Sequence, residues 1–278
     1  MYDYSLPQWL LIFYIYCFAG WIFESTVVSV QKRQLINRGF LRGPMLPIYG
    51  FGAVIMLYVS LPLTGHPIQI YFAGLIVATA FEYVVGAAME AIFKVKYWDY
   101  SEHRFQFQGR ICLQSSLAWG GLSLLLVYVL HPPVEDLLEQ FNFLPLMFTA
   151  SVLTVYFLTD AVASIKTALD FTKLLQELDD MRIHVDDLRT QFAAAAWKKR
   201  GELTAAAQES REKLAASTEN ARLQAYLAIQ AAEDELTHKI QTMKQSRKWL
   251  VRGNPGLRSR QFDRTLREVK RRLEEFKK

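Results

Sequence analysis

Five apolar runs of about twenty residues or more follow one another before Lys166, and they constrain the fold of this 278-residue chain more than any other feature. They cover residues 6–30, 44–63, 68–93, 111–130 and 145–165. About twenty apolar residues in a helix cross the roughly 30 Å of bilayer hydrocarbon. The runs therefore predict an all-α polytopic membrane protein with about five transmembrane helices in residues 1–165. Trp9 and Trp21 fall where the first helix would meet the interfaces. The segment Met-Tyr-Asp-Tyr-Ser carries no basic residue, so the first run is expected to be retained, not cleaved as a signal.

Charge sets the expected orientation. Eight Lys and Arg residues precede Lys166, against ten Asp and Glu. All eight lie in two loops: Lys32, Arg33, Arg38 and Arg42 after the first run, and Lys94, Lys96, Arg104 and Arg110 after the third. The loop at 131–144 holds Glu135, Asp136 and Glu139 instead. Positive loops stay in the cytoplasm, so the N-terminus is expected outside and the C-terminus inside. An odd number of spans agrees with that assignment.

From Lys166 onward the balance reverses to twenty-four basic residues against seventeen acidic ones. Residues 166–278 are expected to form a cytoplasmic α-helical, coiled-coil tail. Phe171, Leu174, Leu178, Met181, Val185, Leu188 and Phe192 alternate spacings of three and four, which is a heptad seam. No Gly or Pro separates Pro145 from Gly201, so the fifth membrane helix is expected to run on to a break at Gly201. A second helix is expected over about 202–251, seamed by Leu236, Ile240, Met243 and Leu250. Gly253-Asn-Pro-Gly256 reads as a turn, and Phe262, Leu266, Val269, Leu273 and Phe276 seam a third helix. Such helices fold back on one another or pair between chains as a homo-oligomer, and spacing leaves both open. From Lys239 there are fourteen basic residues and four acidic ones. Tethering under a bilayer favours anionic lipid over nucleic acid as their partner, while a solvated helix face is the plainer account.

The residues that could carry chemistry are charges inside or beside the spans, where they are costly and mark pairing or function. Glu24, Glu82, Glu90 and Asp160 lie within the runs, in the half near the basic loops. Glu82 and Glu90 are eight residues apart and share a helix face, about 12 Å apart along the axis. Arg42 and Arg110 stand at helix starts on that level, Arg38 is in the same loop as Arg42, and Asp99 precedes Arg110. An acid facing an arginine is the least costly way to hold either in low dielectric. Two readings follow: an ion-pair network that locks packing, or a polar cavity open to the cytoplasm that handles a polar or ionic substrate. Tyr97, Trp98 and Tyr100 read as headgroup anchors, and Gln114, Ser115 and Ser116 extend a polar stripe. No phosphate loop, HExxH or GxSxG occurs, so the chain is not read as an enzyme, and no cofactor is expected. Cys17 and Cys112 form no disulfide framework or CxxC metal pair. A metal site from Glu82, Glu90 and Asp160 has no spacing motif behind it.

Several short motifs occur together: Gly20-Trp21-x-x-Glu24, Asn37-Arg-Gly-Phe-Leu-x-Gly-Pro44 with Pro47-Ile-Tyr-Gly50, Trp98-Asp-Tyr-Ser101 and Gly109-Arg-Ile-Cys-Leu113, with Glu82 and Glu90 between them. In this combination the chain resembles the putative ABC-transporter type IV family, the CmpB-like predicted permeases of bacteria. The motifs cover about residues 11–119, and the fifth helix and tail are similar only loosely. The resemblance implies an integral component of a bacterial plasma-membrane permease, with any ATPase on a separate chain. Two other classes stay open: an intramembrane enzyme acting on lipid headgroups, and a scaffold or sensor working through its coiled coil.

Topology is testable directly. A cysteine at Glu135 is expected to react with an impermeant thiol reagent on whole cells, and one at Arg104 to be shielded. Labelling of both from the same side would remove the five-span arrangement.

Overall fold

A computed structural model describes residues 4–205 and 208–275, with side chains described outside 199–218. The chain divides into two compact units. One is Met1–Asp170 together with Trp249–Arg260, and the other is Phe171–Lys248 together with Gln261–Lys278.

The first unit is built on helices α1 (Leu6–Lys32), α2 (Pro47–Ser60), α3 (Pro67–Phe93), α4 (Leu113–Leu125), α5 (Pro132–Glu139) and the first part of α6 (Phe143–Ala205). Their ends follow local chemistry. The Gln8 side-chain oxygen accepts the Ser5 amide at 2.8 Å ahead of α1. Proline opens α2, α3 and α5, where a missing amide proton costs nothing. Arg33 and Lys94 end α1 and α3 in the left-handed conformation.

Four helical segments are long and apolar enough to cross a membrane: Leu6–Lys32, Pro67–Phe93, Leu113–Glu139 and Phe143–Lys198. The second expected span is shorter. Its run starts at residue 44, but helix begins only at Pro47 and ends in a tight 3₁₀ turn, Leu61–Leu63. Pro44 disfavours helix at the residue before it, and Met45 bonds back to the Gly43 carbonyl at 2.8 Å. Seventeen helical residues, Pro47–Leu63, rise only about 25 Å. The fourth span also differs from its expected bounds. Ile111 and Cys112 form a short strand, and the helix continues from Leu113 through a π-helical turn, Leu126–Leu130, into α5. The stretch expected as a loop at 131–144 therefore contains a helix.

The spans turn apolar side chains outward. Ile76 is 63% exposed, Val84 61% and Phe148 71%. In water such faces would be an aggregation hazard; against lipid they need no cover. Inside, α1 and α2 cross closely. A side chain at Gly50 would overlap Phe13 and Cys17, and the Leu46 amide donates to the Cys17 carbonyl at 2.9 Å.

Between α3 and α4 the chain makes a small hairpin, β1 (Gln106–Phe107) against β2 (Ile111–Cys112), with Gln106 opposite Cys112. Gly109 turns it in the left-handed region at φ +67°. The segment Trp249–Arg260 packs with this unit, although the sequence reading gives it to the tail. Lys96 and Arg258 form an antiparallel bridge, their amides donating to each other's carbonyls at 2.7 and 3.0 Å.

In the second unit α7 (Gln208–Gln241) packs against α9 (Asp263–Glu275), and side-chain contacts tie both to the remainder of α6. Arg189 pairs with Glu233, Lys239 with Glu177 at 2.8 Å, and Thr265 donates to Asp179. Seam residues Phe171, Leu174, Leu178 and Val185 are buried, and Met181, Leu188 and Phe192 are half-buried. Within one chain, then, these helices fold back on one another. Gly201 does not break α6, which continues to Ala205; one glycine costs a helix only about 1 kcal/mol. The second tail helix is interrupted at 242–244 and resumes as α8 (Gln245–Gly253). Lys248 Nζ covers the freed Gln241 carbonyl at 2.8 Å. Phe276, expected in the last seam, lies outside the described residues.

Leu178 is fully buried. Leu178→Ala is expected to destabilise the second unit by about 2–5 kcal/mol, seen as a lower thermal midpoint of its helical circular dichroism. An unchanged midpoint would show that the seam is not a packing surface.

Candidate functional site

A cavity of about 670 Å³ opens in the first unit, within the usual range for small-molecule sites. Most of the motif regions contribute to its wall, the exception being residues 109–113. Glu24 comes from α1, Arg38 to Phe40 from the following loop, and Leu46 to Phe51 from the start of α2. Phe81, Glu82, Val85 and Met89 come from α3, Tyr97, Trp98 and Tyr100 from the next loop, and Ser115, Ala118, Trp119 and Leu122 from α4. Asn254 of the distant 249–260 segment completes it. Eight lining residues are aromatic: Phe40, Tyr49, Phe51, Phe81, Tyr97, Trp98, Tyr100 and Trp119.

Glu82 is 4% exposed, on the α3 side of this cavity. Its carboxylate accepts from the Tyr100 hydroxyl at 2.9 Å, the Trp119 indole N–H at 3.0 Å and the Ser115 hydroxyl at 3.3 Å. Ser115 and Trp119 are one helical turn apart, so α4 presents both donors from one face. No cation approaches Glu82 among the described residues, contrary to the expected arginine partner. The arginines nearest in sequence logic are engaged elsewhere.

Glu24 accepts from the Tyr49 hydroxyl at 3.0 Å and from Arg38 Nε at 3.5 Å. The Arg38 guanidinium also donates to Asn254 Oδ1 at 3.0 Å and to the Gly253 carbonyl at 3.5 Å. Burial first, and then the charge and hydrogen bond of Glu82, push the Tyr100 phenol above its ordinary value, with Glu24 adding in the same direction. The two carboxylates therefore act on one shared environment.

The other expected residues lie outside the cavity wall. Glu90 pairs with Arg110 at 2.8 Å and with Arg260 at 3.3 Å, and Arg110 also stacks over the Tyr83 ring at 5.4 Å. Asp99 meets Lys96 at 3.4 Å and Arg258 at 3.2 Å, and Arg258 also reaches Glu102 at 2.8 Å. Arg42 donates to Thr167 at 2.5 Å. Asp160 takes the Gly43 and Arg42 backbone amides at 2.8 and 3.2 Å, not the Arg42 guanidinium. It is a backbone cap for the proline-rich turn. Glu82, Glu90 and Asp160, weighed together as metal ligands, sit in three separate environments. Among the described residues no group of three or more His, Cys, Asp or Glu is arranged to hold a metal.

The 249–260 segment is held mainly by burial and backbone pairing. Leu257 is 1% exposed, worth about 1.5–3 kcal/mol. Asn254 donates to the Gly39 and Leu250 carbonyls at 3.0 and 2.9 Å, and Ser259 to the Lys94 carbonyl at 2.6 Å. The ion pairs of half-exposed Arg258 add roughly 0–1 kcal/mol each. Several basic residues expected to face lipid are thus occupied within the protein.

Sequence reasoning missed Tyr49 and Trp119 as partners of the acids and assigned Tyr100 to the headgroup layer. The available signal was spacing: Ser115 and Trp119 share a face of α4.

Asp99 provides a pH test. Burial would raise its carboxyl, but the Ser101 hydroxyl and amide and the Lys96 ammonium outweigh it and hold it below the ordinary 3.8. A lowered folded-state value contributes stability above the unfolded value, which is lost as pH falls through the folded one. The contacts of Asp99 are therefore expected to weaken only below about pH 4, read in the fluorescence of neighbouring Trp98. Asp99→Asn should remove that acid transition; an unchanged transition would exclude Asp99 as its source.

A family model described as Putative ABC-transporter type IV matches residues 11–165. No curated protein and no solved structure matches the chain.

Proposed function

This chain belongs to the Putative ABC-transporter type IV family, and from that premise we propose that it is a membrane transporter component that engages a polar or ionic substrate in the cavity walled by Glu24, Arg38 and Glu82. The observation that carries this reading is Glu82. It is a buried carboxylate at a cavity wall with three hydrogen-bond donors and, among the described residues, no cation. A group held only for packing is usually neutralised by a fixed partner, because an unmatched buried charge is costly. Glu90, Asp99, Arg110, Asp160 and Arg42 then serve as the frame around the site.

The chain carries no phosphate-binding loop, so in this reading a separate ATPase chain supplies energy. With the basic loops on the cytoplasmic side of a bacterial plasma membrane, the cavity opens toward the cytoplasm, the N-terminus is outside and the tail is inside. The tail offers a surface for self-association and for anionic lipid through its basic residues.

Ala118 is an exposed residue of the cavity wall. Ala118→Trp fills the cavity without overpacking the core. It is expected to reach the membrane at wild-type abundance and to fail to restore solute-dependent growth in a strain lacking the gene. Full restoration would overturn the reading.

A further inference from the structure

We propose that the ligand of this cavity is an alkylated ammonium cation, an inference that deepens the transporter reading and rests on it. Three observations converge. The first is charge. Arg38 is balanced by Glu24 and further held by Asn254 and the Gly253 carbonyl. One basic side chain against Glu24 and Glu82 leaves Glu82 as the wall's acid without a charged partner among the described residues, and an arriving cation would favour its ionised form. Glu90 and Asp99 take their cations from Arg110, Arg260, Lys96 and Arg258, outside the cavity wall.

The second is the wall. It is mostly carbon and holds eight aromatic residues, the side-chain type whose π faces attract a weakly hydrated cation. A primary ammonium with three N–H donors asks for three acceptors, more than Glu82 has free. Tyr100, Trp119 and Ser115 already occupy most of the Glu82 carboxylate's acceptor capacity. An ammonium covered by alkyl groups asks for charge and aromatic contact, which the wall does supply.

The third is Tyr97. It is 6% exposed and lines the cavity, and its hydroxyl has no hydrogen-bond partner among the described residues. A buried hydroxyl left unbonded is costly. A side-chain shift that opens this hydroxyl to the cavity would let a polar substituent on the ligand, such as a hydroxyl or ester oxygen beside the ammonium, satisfy it. The chemistry belongs equally to a free solute and to a lipid headgroup.

The test uses the full chain in nanodiscs of phosphatidylglycerol, a lipid without an ammonium group. Tetramethylammonium, choline and 3,3-dimethylbutan-1-ol, the neutral isostere of choline, are titrated against tryptophan fluorescence and by calorimetry. Choline is expected to bind and the neutral isostere to bind at least roughly tenfold more weakly. Glu82→Gln should lose choline binding by a similar factor while keeping its thermal midpoint. Phe81→Leu should weaken it a few-fold, as loss of one cation–π contact does. Equal binding of choline and its isostere would overturn the cation assignment, and so would no choline binding. The comparison of ligands holds even if a variant fails to fold. If choline does not bind yet Ala118→Trp still abolishes function, the ligand class is wrong and the transporter reading survives; a fully active Ala118→Trp removes the reading itself. Retention of phosphatidylcholine or phosphatidylethanolamine over phosphatidylglycerol, lost in Glu82→Gln, would identify the lipid headgroup as the source. Choline binding without lipid preference would identify a free solute.

Discussion

A carboxylate in low dielectric must be matched by a cation, by hydrogen-bond donors or by a proton, and the first unit is arranged around that requirement. Its acids meet it in different ways. Glu90 and Asp99 are each served by two basic side chains. Asp160 is served by two backbone amides of a turn whose prolines keep it out of helical geometry. Glu24 shares an arginine with Asn254. Glu82 has donors but, among the described residues, no cation. Because bare ions are so costly here, the matched acids also fix the loops that bear their partners, and the loops in turn shape the cavity.

The 249–260 segment ties into the same network. It brings Arg258 and Arg260 to Asp99 and Glu90, and Asn254 to Arg38. Its exposed ion pairs contribute little by themselves. What holds it is the burial of Leu257 and the paired backbone groups of Lys96 and Arg258. The charges then act as specificity: they fix which loop the segment pairs with, and in which register. One wall of the cavity thus depends on residues far along the chain from every other wall.

Much of the fold was legible from residue order. Apolar run length identified four of the five expected spans, because the bilayer imposes a length on any helix that crosses it, and the Pro47–Leu63 helix falls short of it. Heptad spacing identified the buried seam of α6, because a 3.5-residue repeat places Phe171, Leu174 and Leu178 on one face. The family resemblance rested on motifs that later proved to line the cavity or brace it. Reading was poorer where a small local balance decided. The prolines shortened α2, Gly201 left α6 intact, and the tail helix broke at 242–244 instead.

By itself the sequence determined which segments are long and apolar enough to cross a membrane and which acids lie along them. Both are one-dimensional properties, set by hydropathy along the chain and by helical rise. Only the tertiary structure decided which acid meets which cation. The sequence offered Arg42 and Arg110 as partners for any of the acids. The fold gave Arg110 to Glu90 and turned Arg42 to Thr167. It drew Arg258 and Arg260 from the far end of the chain, and left Glu82 to Tyr100, Ser115 and Trp119. Pairing energy falls off within a few ångströms, and distances on that scale between remote segments exist only once the helices have packed.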